Sequence, residues 1–174
     1  KFNQFSIIRN CSNLGKGAAV KKGVQAASNQ NIILMDGDLE IDIDEIPFII
    51  DYYNNDSIDV LVGKRWENYK NSDIDLNLVG NFFINFIFNT FFNTKFCDVL
   101  CCVKVLKKNK FESLDIYSDN FAIEVETMAK LVRENIKIKE IKVKYQRRTT
   151  REGKKLKFTD SWNIIFTMIK IRFF

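Results

Sequence analysis

Asn31-Ile-Ile-Leu-Met-Asp-Gly-Asp-Leu-Glu40 decides the fold class. Residues 31–35 form an apolar run that breaks at Asp36-Gly37-Asp38, a pattern that predicts a buried strand ending directly on a carboxylate pair. Period-two geometry turns Asp36 and Asp38 to one side, with Glu40 next in the series if the chain stays extended. In open α/β sheets ligands bind beyond the carboxyl ends of the strands, and hard oxygen donors there suit a divalent cation carrying a diphosphate. The same spacing also makes an ordinary acidic, solvated turn. An EF-hand loop is excluded, because its sixth position needs Gly and is Ile41 here.

Strands and helices alternate outward from this point. Phe5-Ser-Ile-Ile-Arg9 reads as a short strand, and Asn13-Leu-Gly-Lys-Gly17 opens an Ala/Val-rich helix reaching residue 28. Asp44-Glu-Ile-Pro47 supplies an acidic cap and a first-turn Pro for a helix reaching residue 53, and Asp59-Val-Leu-Val-Gly63 is a strand with an abrupt end at Lys64-Arg65. Beyond a polar loop at 67–75, residues 76–92 form a helix that is apolar on nearly every face and carries Phe82, Phe83, Phe86, Phe88, Phe91 and Phe92. Such a helix is either core or greasy surface. Residues 120–134 read as an amphipathic helix with Glu124 and Glu126. Residues 136–145 alternate apolar with Lys, with a one-residue slip near Glu140 that predicts a bulge. A basic loop at 146–157 leads to a last amphipathic helix, 159–174, with Trp162, Ile165, Phe166, Ile169 and Phe173 on one face. This order predicts a parallel or mixed α/β sheet flanked by helices, in one domain over residues 1–174.

Composition removes whole classes of chemistry. The chain has no His, so Ser-His-Asp triads and His-ligated zinc are excluded, leaving carboxylates, Lys, Arg, Tyr and Cys. Cys11, Cys97, Cys101 and Cys102 lack the spacing of a secreted disulfide framework or a zinc site and read as reduced, mostly buried thiols, which points to the cytoplasm. The net charge of +5 is local: residues 137–157 carry +8, leaving −3 for the rest. That block suits phosphate, nucleic acid or anionic lipid, and equally a solvated strand edge. Its Arg147, Arg148, Arg151, Lys154 and Lys155, with Arg65, are suited to anionic oxygens. The aromatic residues cluster in helices instead of alternating with basic residues on a sheet face, which argues against nucleic acid as partner. Gly15-Lys16-Gly17 offers backbone amides to a phosphate, but a Walker A loop needs Gly five places before Gly15 and finds Asn10.

Eight segments in order resemble glycosyltransferase family 2. They are Asn13-Leu-Gly-Lys-Gly-Ala-Ala19, Leu34-Met-Asp-Gly-Asp-Leu-Glu40, Glu45-Ile-Pro47, Val62-Gly-Lys-Arg65, Gly80-Asn81, Asp98 with Lys104, Phe121-Ala-Ile-Glu-Val-Glu126 and Arg148-Thr-Thr-Arg-Glu-Gly-Lys-Lys155. Within the family the pattern is most similar to dolichyl-phosphate mannose synthase-like and related bacterial polyprenyl-phosphate sugar transferases. The resemblance implies a Rossmann-like GT-A fold lacking its first strands, that is, an N-terminally truncated domain.

The resemblance also implies an activity: inverting, metal-dependent transfer of a hexose from a GDP- or UDP-sugar to a polyprenyl phosphate, on the cytoplasmic face of a membrane. Lys16, Asp36 and Asp38 would bind the nucleotide sugar, with Asp36, Asp38 and Glu40 around Mg2+ or Mn2+. Mannose synthases tend to have Gln at the position of Glu40. Arg65, Arg148 and Lys154 match positions that neutralise phosphates, and Asp98 falls near the reacting centre with Arg65. Residues 75–79 depart from the mannose-synthase pattern, which keeps open an alternative: transfer to a saccharide or lipid hydroxyl with Asp98 as base, or an inactive fragment. The Phe-rich helix and the last helix, aided by the basic block, are expected to bind a membrane surface peripherally.

Overall fold

The strand that organises the molecule is one the sequence pattern passes over. The structure, a computed structural model, describes residues 5–65, 76–146 and 158–174. The chain order is α1 (Lys16–Ala26), β1 (Asn31–Leu34), α2 (Glu45–Asn55), β2 (Val60–Lys64), α3 (Leu76–Phe92), β3 (Lys104–Lys107), α4 (Lys108–Ser113), α5 (Ile123–Arg133), β4 (Ile138–Lys142) and α6 (Phe158–Phe173). The sheet order is β1-β3-β2-β4, so the four-residue β3 lies inside it. It pairs antiparallel with β1 and with β2, while β2 pairs parallel with β4. β1, β2 and β4 therefore run one way and β3 the other. The C-terminal ends of three strands and the entry to β3 meet at one end of the sheet.

Both faces of the sheet are covered by apolar residues. Val60 and Val62 of β2 join a core with Ile84 and Phe88 of α3, Val125 and Met128 of α5 and Met168 of α6. Leu61, between them, points to the opposite core with Ile49 and Tyr53 of α2, Val105 of β3 and Ile141 of β4. A Cβ on Gly63 would lie 2.9 Å from Cys101 Sγ and from Val103 Cβ, so the last turn of β2 packs against the entry to β3 only because it carries no side chain there.

Several expectations are corrected. Phe5-Ser-Ile-Ile-Arg9 is not a strand: Phe5, Ile7 and Ile8 are exposed, and no strand among the described residues pairs with them. β1 is only part-buried, because it lies at the sheet edge with β3 on one side. Asp44 makes no side-chain cap, and its own N–H donates to Asp42 Oδ1 at 3.0 Å. β4 has no bulge at Glu140, since its register with β2 runs unbroken from Val60↔Ile138 to Lys64↔Lys142. The slip in hydrophobicity arises because β4 serves both cores, Ile138 packing on one and Ile141 and Val143 on the other.

α6 buries a different face from the one its largest residues mark. Ile164, Met168 and Ile171 enter the core, whereas Trp162 is 74% and Phe166 69% exposed. α3 is divided likewise: Ile84 and Phe88 are buried, and Phe82, Phe83 and Phe86 face outward. The two helices pack together, with Phe91 and Phe173 in edge-to-face contact at 6.2 Å.

This division is measurable by urea unfolding. Phe88→Ala removes a fully buried ring and should cost about 3–5 kcal/mol. Phe86→Ala, on the outward face, should stay within about 0.5 kcal/mol of the parent protein.

Candidate functional site

The shared end of the sheet gathers the acidic turn after β1, Lys64-Arg65 at the end of β2, and the segment after β4. The turn does not continue extended past Asp38. Leu39 adopts φ 64°, and the Glu40 N–H donates to Asp38 Oδ1 at 3.1 Å. A left-handed residue without glycine is a local strain. It carries the next segment across to the chain beyond β4, where Ile41 bridges Tyr145 and Gln146 N–H donates to the Glu40 carbonyl at 2.7 Å. The Tyr145 hydroxyl donates to Glu40 Oε2 at 3.1 Å. Glu40 thus leaves the period-two series expected of it and is fixed against Tyr145, a partner more than a hundred residues away.

Lys16 and Glu124 form the second part of the site. Lys16 Nζ lies 2.8 Å from Asp36 Oδ2 and 2.7 Å from Glu124 Oε1. The other Glu124 oxygen pairs with Lys104, which also donates to the Cys101 carbonyl at 2.6 Å. Burial lowers the Lys16 pKa, but Glu124 and Asp36 outweigh it and hold the ammonium well above the ordinary lysine range. Gly15-Lys16-Gly17 serves close packing here. A Cβ on Gly17 would lie 2.2 Å from the Ser118 carbonyl, and Ala18 N–H donates to the Asp119 carbonyl at 3.2 Å. The glycines let the start of α1 press onto residues 118–119, which aims Lys16 at the acidic turn.

Asp98 and Arg65 form the third part. Asp98 is buried, and its carboxylate accepts three bonds from Arg65: Nε at 2.7 Å, Nη2 at 2.9 Å and the backbone N–H at 3.0 Å. The guanidinium also lies over the Tyr145 ring, 5.4 Å from its centroid. Both oxygens of Asp98 accept from Arg65, so its carboxylate orients that side chain. Beside β1 a cavity of about 680 Å³ is lined by Lys16, Asp36, Gly37, Cys102 and Glu124, among others. Cys101 is buried and Cys102 half-buried, whereas Cys11 and Cys97 are exposed, contrary to mostly buried thiols. The Cys101 thiol hydrogen-bonds to Cys102, pushing its own pKa up and drawing that of Cys102 down. Arg148 and Lys154 lie outside the described residues. Among the described residues no group of three His, Cys, Asp or Glu forms a ready metal cage.

Residues 1–115 match the sequence pattern of Glycosyl transferase family 2. The chain belongs to that family. Its architecture is shared with glucosyl-3-phosphoglycerate synthase from Mycobacterium tuberculosis. The complex of that enzyme with phosphoglyceric acid has a TM-score of 0.69 at 12% identity, over 96% of this chain and 57% of the other. Its complex with Mn2+, uridine diphosphate and phosphoglyceric acid has a TM-score of 0.70 at 12% identity, over 91% of this chain and 54% of the other. The chain spans little more than half the length of these structures. No curated protein matches the sequence. The mixed sheet flanked by helices is the Rossmann-like GT-A fold of this family.

The Glu124 node has an acid signature. Burial pushes its carboxyl up, but Lys104 and Lys16 outweigh that and hold it below the usual range. A folded pKa below the unfolded value of about 4.3 contributes stability that is complete above that value and lost as pH falls through the folded one. Urea unfolding from pH 7 to pH 3 should therefore show a steeper loss in the parent protein than in Glu124→Gln. The variant should start lower by about 3–5 kcal/mol at pH 7, because two buried ammonium groups lose their partner.

Proposed function

We propose that the chain is the catalytic part of an inverting hexosyltransferase that moves a hexose from a GDP- or UDP-sugar to a polyprenyl or dolichyl phosphate. The observation that carries this reading is the pairing of an acidic turn, Asp36 to Glu40, with a guanidinium locked in place by Asp98 at the same end of the sheet. A related structure holds Mn2+, UDP-glucose and phosphoglyceric acid, which supports a metal-assisted donor and a phosphorylated acceptor here.

The donor side would be built on the turn. Asp38 and Glu40 offer hard carboxylate oxygens, and Mg2+ is commonly held by one or two carboxylates together with substrate phosphates and water, so the lack of a three-residue cage fits such an ion. One oxygen of Asp36 is taken by Lys16, one of Asp38 by the Glu40 N–H and one of Glu40 by Tyr145, so each of the three would offer its other oxygen to the ion, and Asp36 would also keep Lys16 beside the donor. When bound, the cation supplies positive charge to the departing diphosphate.

The acceptor side rests on fixed cations. A phosphate monoester has a second pKa near 6 and is largely ionised at neutral pH, so it attacks without a general base. Arg65 would hold its oxygens bidentately, and Asp98 would keep the guanidinium oriented. Arg148 and Lys154 would add charge from the basic loop, which departs from Gln146 where that residue is bonded to Glu40. The bidentate pairing of Asp98 with Arg65 favours this phosphate reading over transfer to a hydroxyl with Asp98 as base.

A lipid acceptor calls for a membrane surface. α3 exposes Phe82, Phe83 and Phe86, α6, which packs against it, exposes Trp162, Phe166 and Phe173, and residues 76–94 carry no charge. Among the described residues no helix is long and apolar enough to cross a membrane, so these aromatics would sit in the interface of the cytoplasmic leaflet. Lys170 and Arg172 would add roughly 1 kcal/mol each near anionic lipid.

Transfer assays with a short polyprenyl phosphate and the matching polyprenol test the acceptor. Turnover is expected with the phosphate alone. Arg65→Ala should cost about 1.5–3 kcal/mol in kcat/KM for it, and Asp38→Ala should abolish Mn2+-dependent turnover. Transfer to the alcohol in preference to the phosphate would overturn the assignment. Co-sedimentation with anionic liposomes tests the surface: binding should be strong at low salt and weaken with added salt. Replacing Phe83, Phe86 and Phe166 by Ser should abolish it, and equal binding by that variant would refute the proposed face.

A further inference from the structure

The segment that carries Asp98 is held almost entirely by side chains. Four consecutive backbone N–H groups donate to side-chain oxygens of α3 and β4. Phe96 donates to Asn89 Oδ1 at 3.0 Å, and Val99 to Asn85 Oδ1 at 3.0 Å. Between them, Cys97 donates to both Glu140 oxygens at 2.8 and 3.0 Å, and Asp98 donates to Glu140 Oε1 at 3.2 Å. The Phe96 carbonyl accepts from the amides of Asn85 and Asn89 at 2.7 and 2.8 Å. Asn85 and Asn89 stand one helical turn apart and so present one face to the loop. They fix its flanks, whereas Glu140 alone receives the amides of Cys97 and Asp98.

A carboxylate is suited to this task because it accepts at both oxygens, while an amide replaces one acceptor by a donor. Glu140 holds the Asp98 backbone, and the Asp98 carboxylate holds Arg65 through its backbone N–H, Nε and Nη2. The line of contacts therefore runs from mid-β4 to the end of β2 through a loop with no strand or helix of its own to stiffen it.

We infer that Glu140 is a positioning residue for phosphate recognition, setting the Asp98 segment and through it the guanidinium of Arg65. This rests on the reading of Arg65 as the acceptor-phosphate ligand. A purely structural Glu140 would lower stability without selecting one substrate. A positioning Glu140 acts on the acceptor and acts through Arg65.

A double-mutant cycle separates the two. With short polyprenyl phosphate as acceptor, Glu140→Gln should raise the acceptor KM about tenfold, the scale of one weakened charge-assisted bond, and leave the donor KM unchanged. In an Arg65→Ala background the same change should add nothing, and additive effects would overturn the inference. Should Glu140→Gln fail to fold, Glu140→Asp keeps the charge, shortens the reach by one methylene and takes its place in the cycle. If Arg65→Ala leaves the acceptor KM unchanged, the acceptor reading itself fails. Hydrogen exchange at Arg65 Nε–H, followed by NMR, then still decides the positioning: faster exchange in the Glu140 variant supports it, and unchanged exchange overturns it.

Discussion

The buried carboxylate of Glu124, gripped by Lys16 on one oxygen and Lys104 on the other, fastens four elements at a single point. Through it the start of α1, the start of α5, the entry to β3 and, by way of Asp36, the exit of β1 are tied together. Taking three charges out of water is costly, and apolar replacements of the same shape often stabilise a fold as well or better. What the charges add is position. An ammonium shared between Glu124 and Asp36 keeps the acidic turn close to the sheet, and a packed apolar cluster has no equivalent directional grip.

The second ionic centre is organised the same way but holds a different kind of segment. Around Asp98 the chain has little regular structure, so its amides are satisfied by Asn85, Asn89 and Glu140 instead of by a ladder. The two centres meet at Tyr145, whose ring lies under Arg65 and whose hydroxyl reaches Glu40. A shift of the segment after β4 would therefore move the donor side and the acceptor side together. A second link runs through the Cys101 backbone, whose N–H donates to the Asp98 carbonyl and whose carbonyl accepts from Lys104.

The outer surface follows a separate logic. α3 and α6 pack together, and each divides its apolar residues between a face that enters the core and a face that does not. Burial of Ile164, Met168 and Ile171 requires only one stripe of α6, so the remaining aromatic stripe is not accounted for by the fold.

Local pattern was enough for most elements. The apolar run before Asp36-Gly37-Asp38, the Phe-rich stretch at 76–92 and the Lys alternation at 136–145 each declared themselves, because burial periodicity is written into neighbouring residues. β3 did not, since Lys104-Val-Leu-Lys107 is too short to show a period and its lysine ends disguise an interior strand. The second apolar stripe of α6, Ile164, Met168 and Ile171, does not stand out in the sequence beside its larger aromatics, because burial depends on which side meets α3 and α5. Glu140 was read as a fault in a strand because its partners, the amides of Cys97 and Asp98, are more than forty residues away. The sequence by itself determined which carboxylates and cationic side chains follow the strands. Tertiary structure alone decided which of them are already paired: Asp36 with Lys16, Asp98 with Arg65 and Glu40 with Tyr145. Each of those pairs joins residues from separate elements, and only the packing of the sheet ends sets the distance between them.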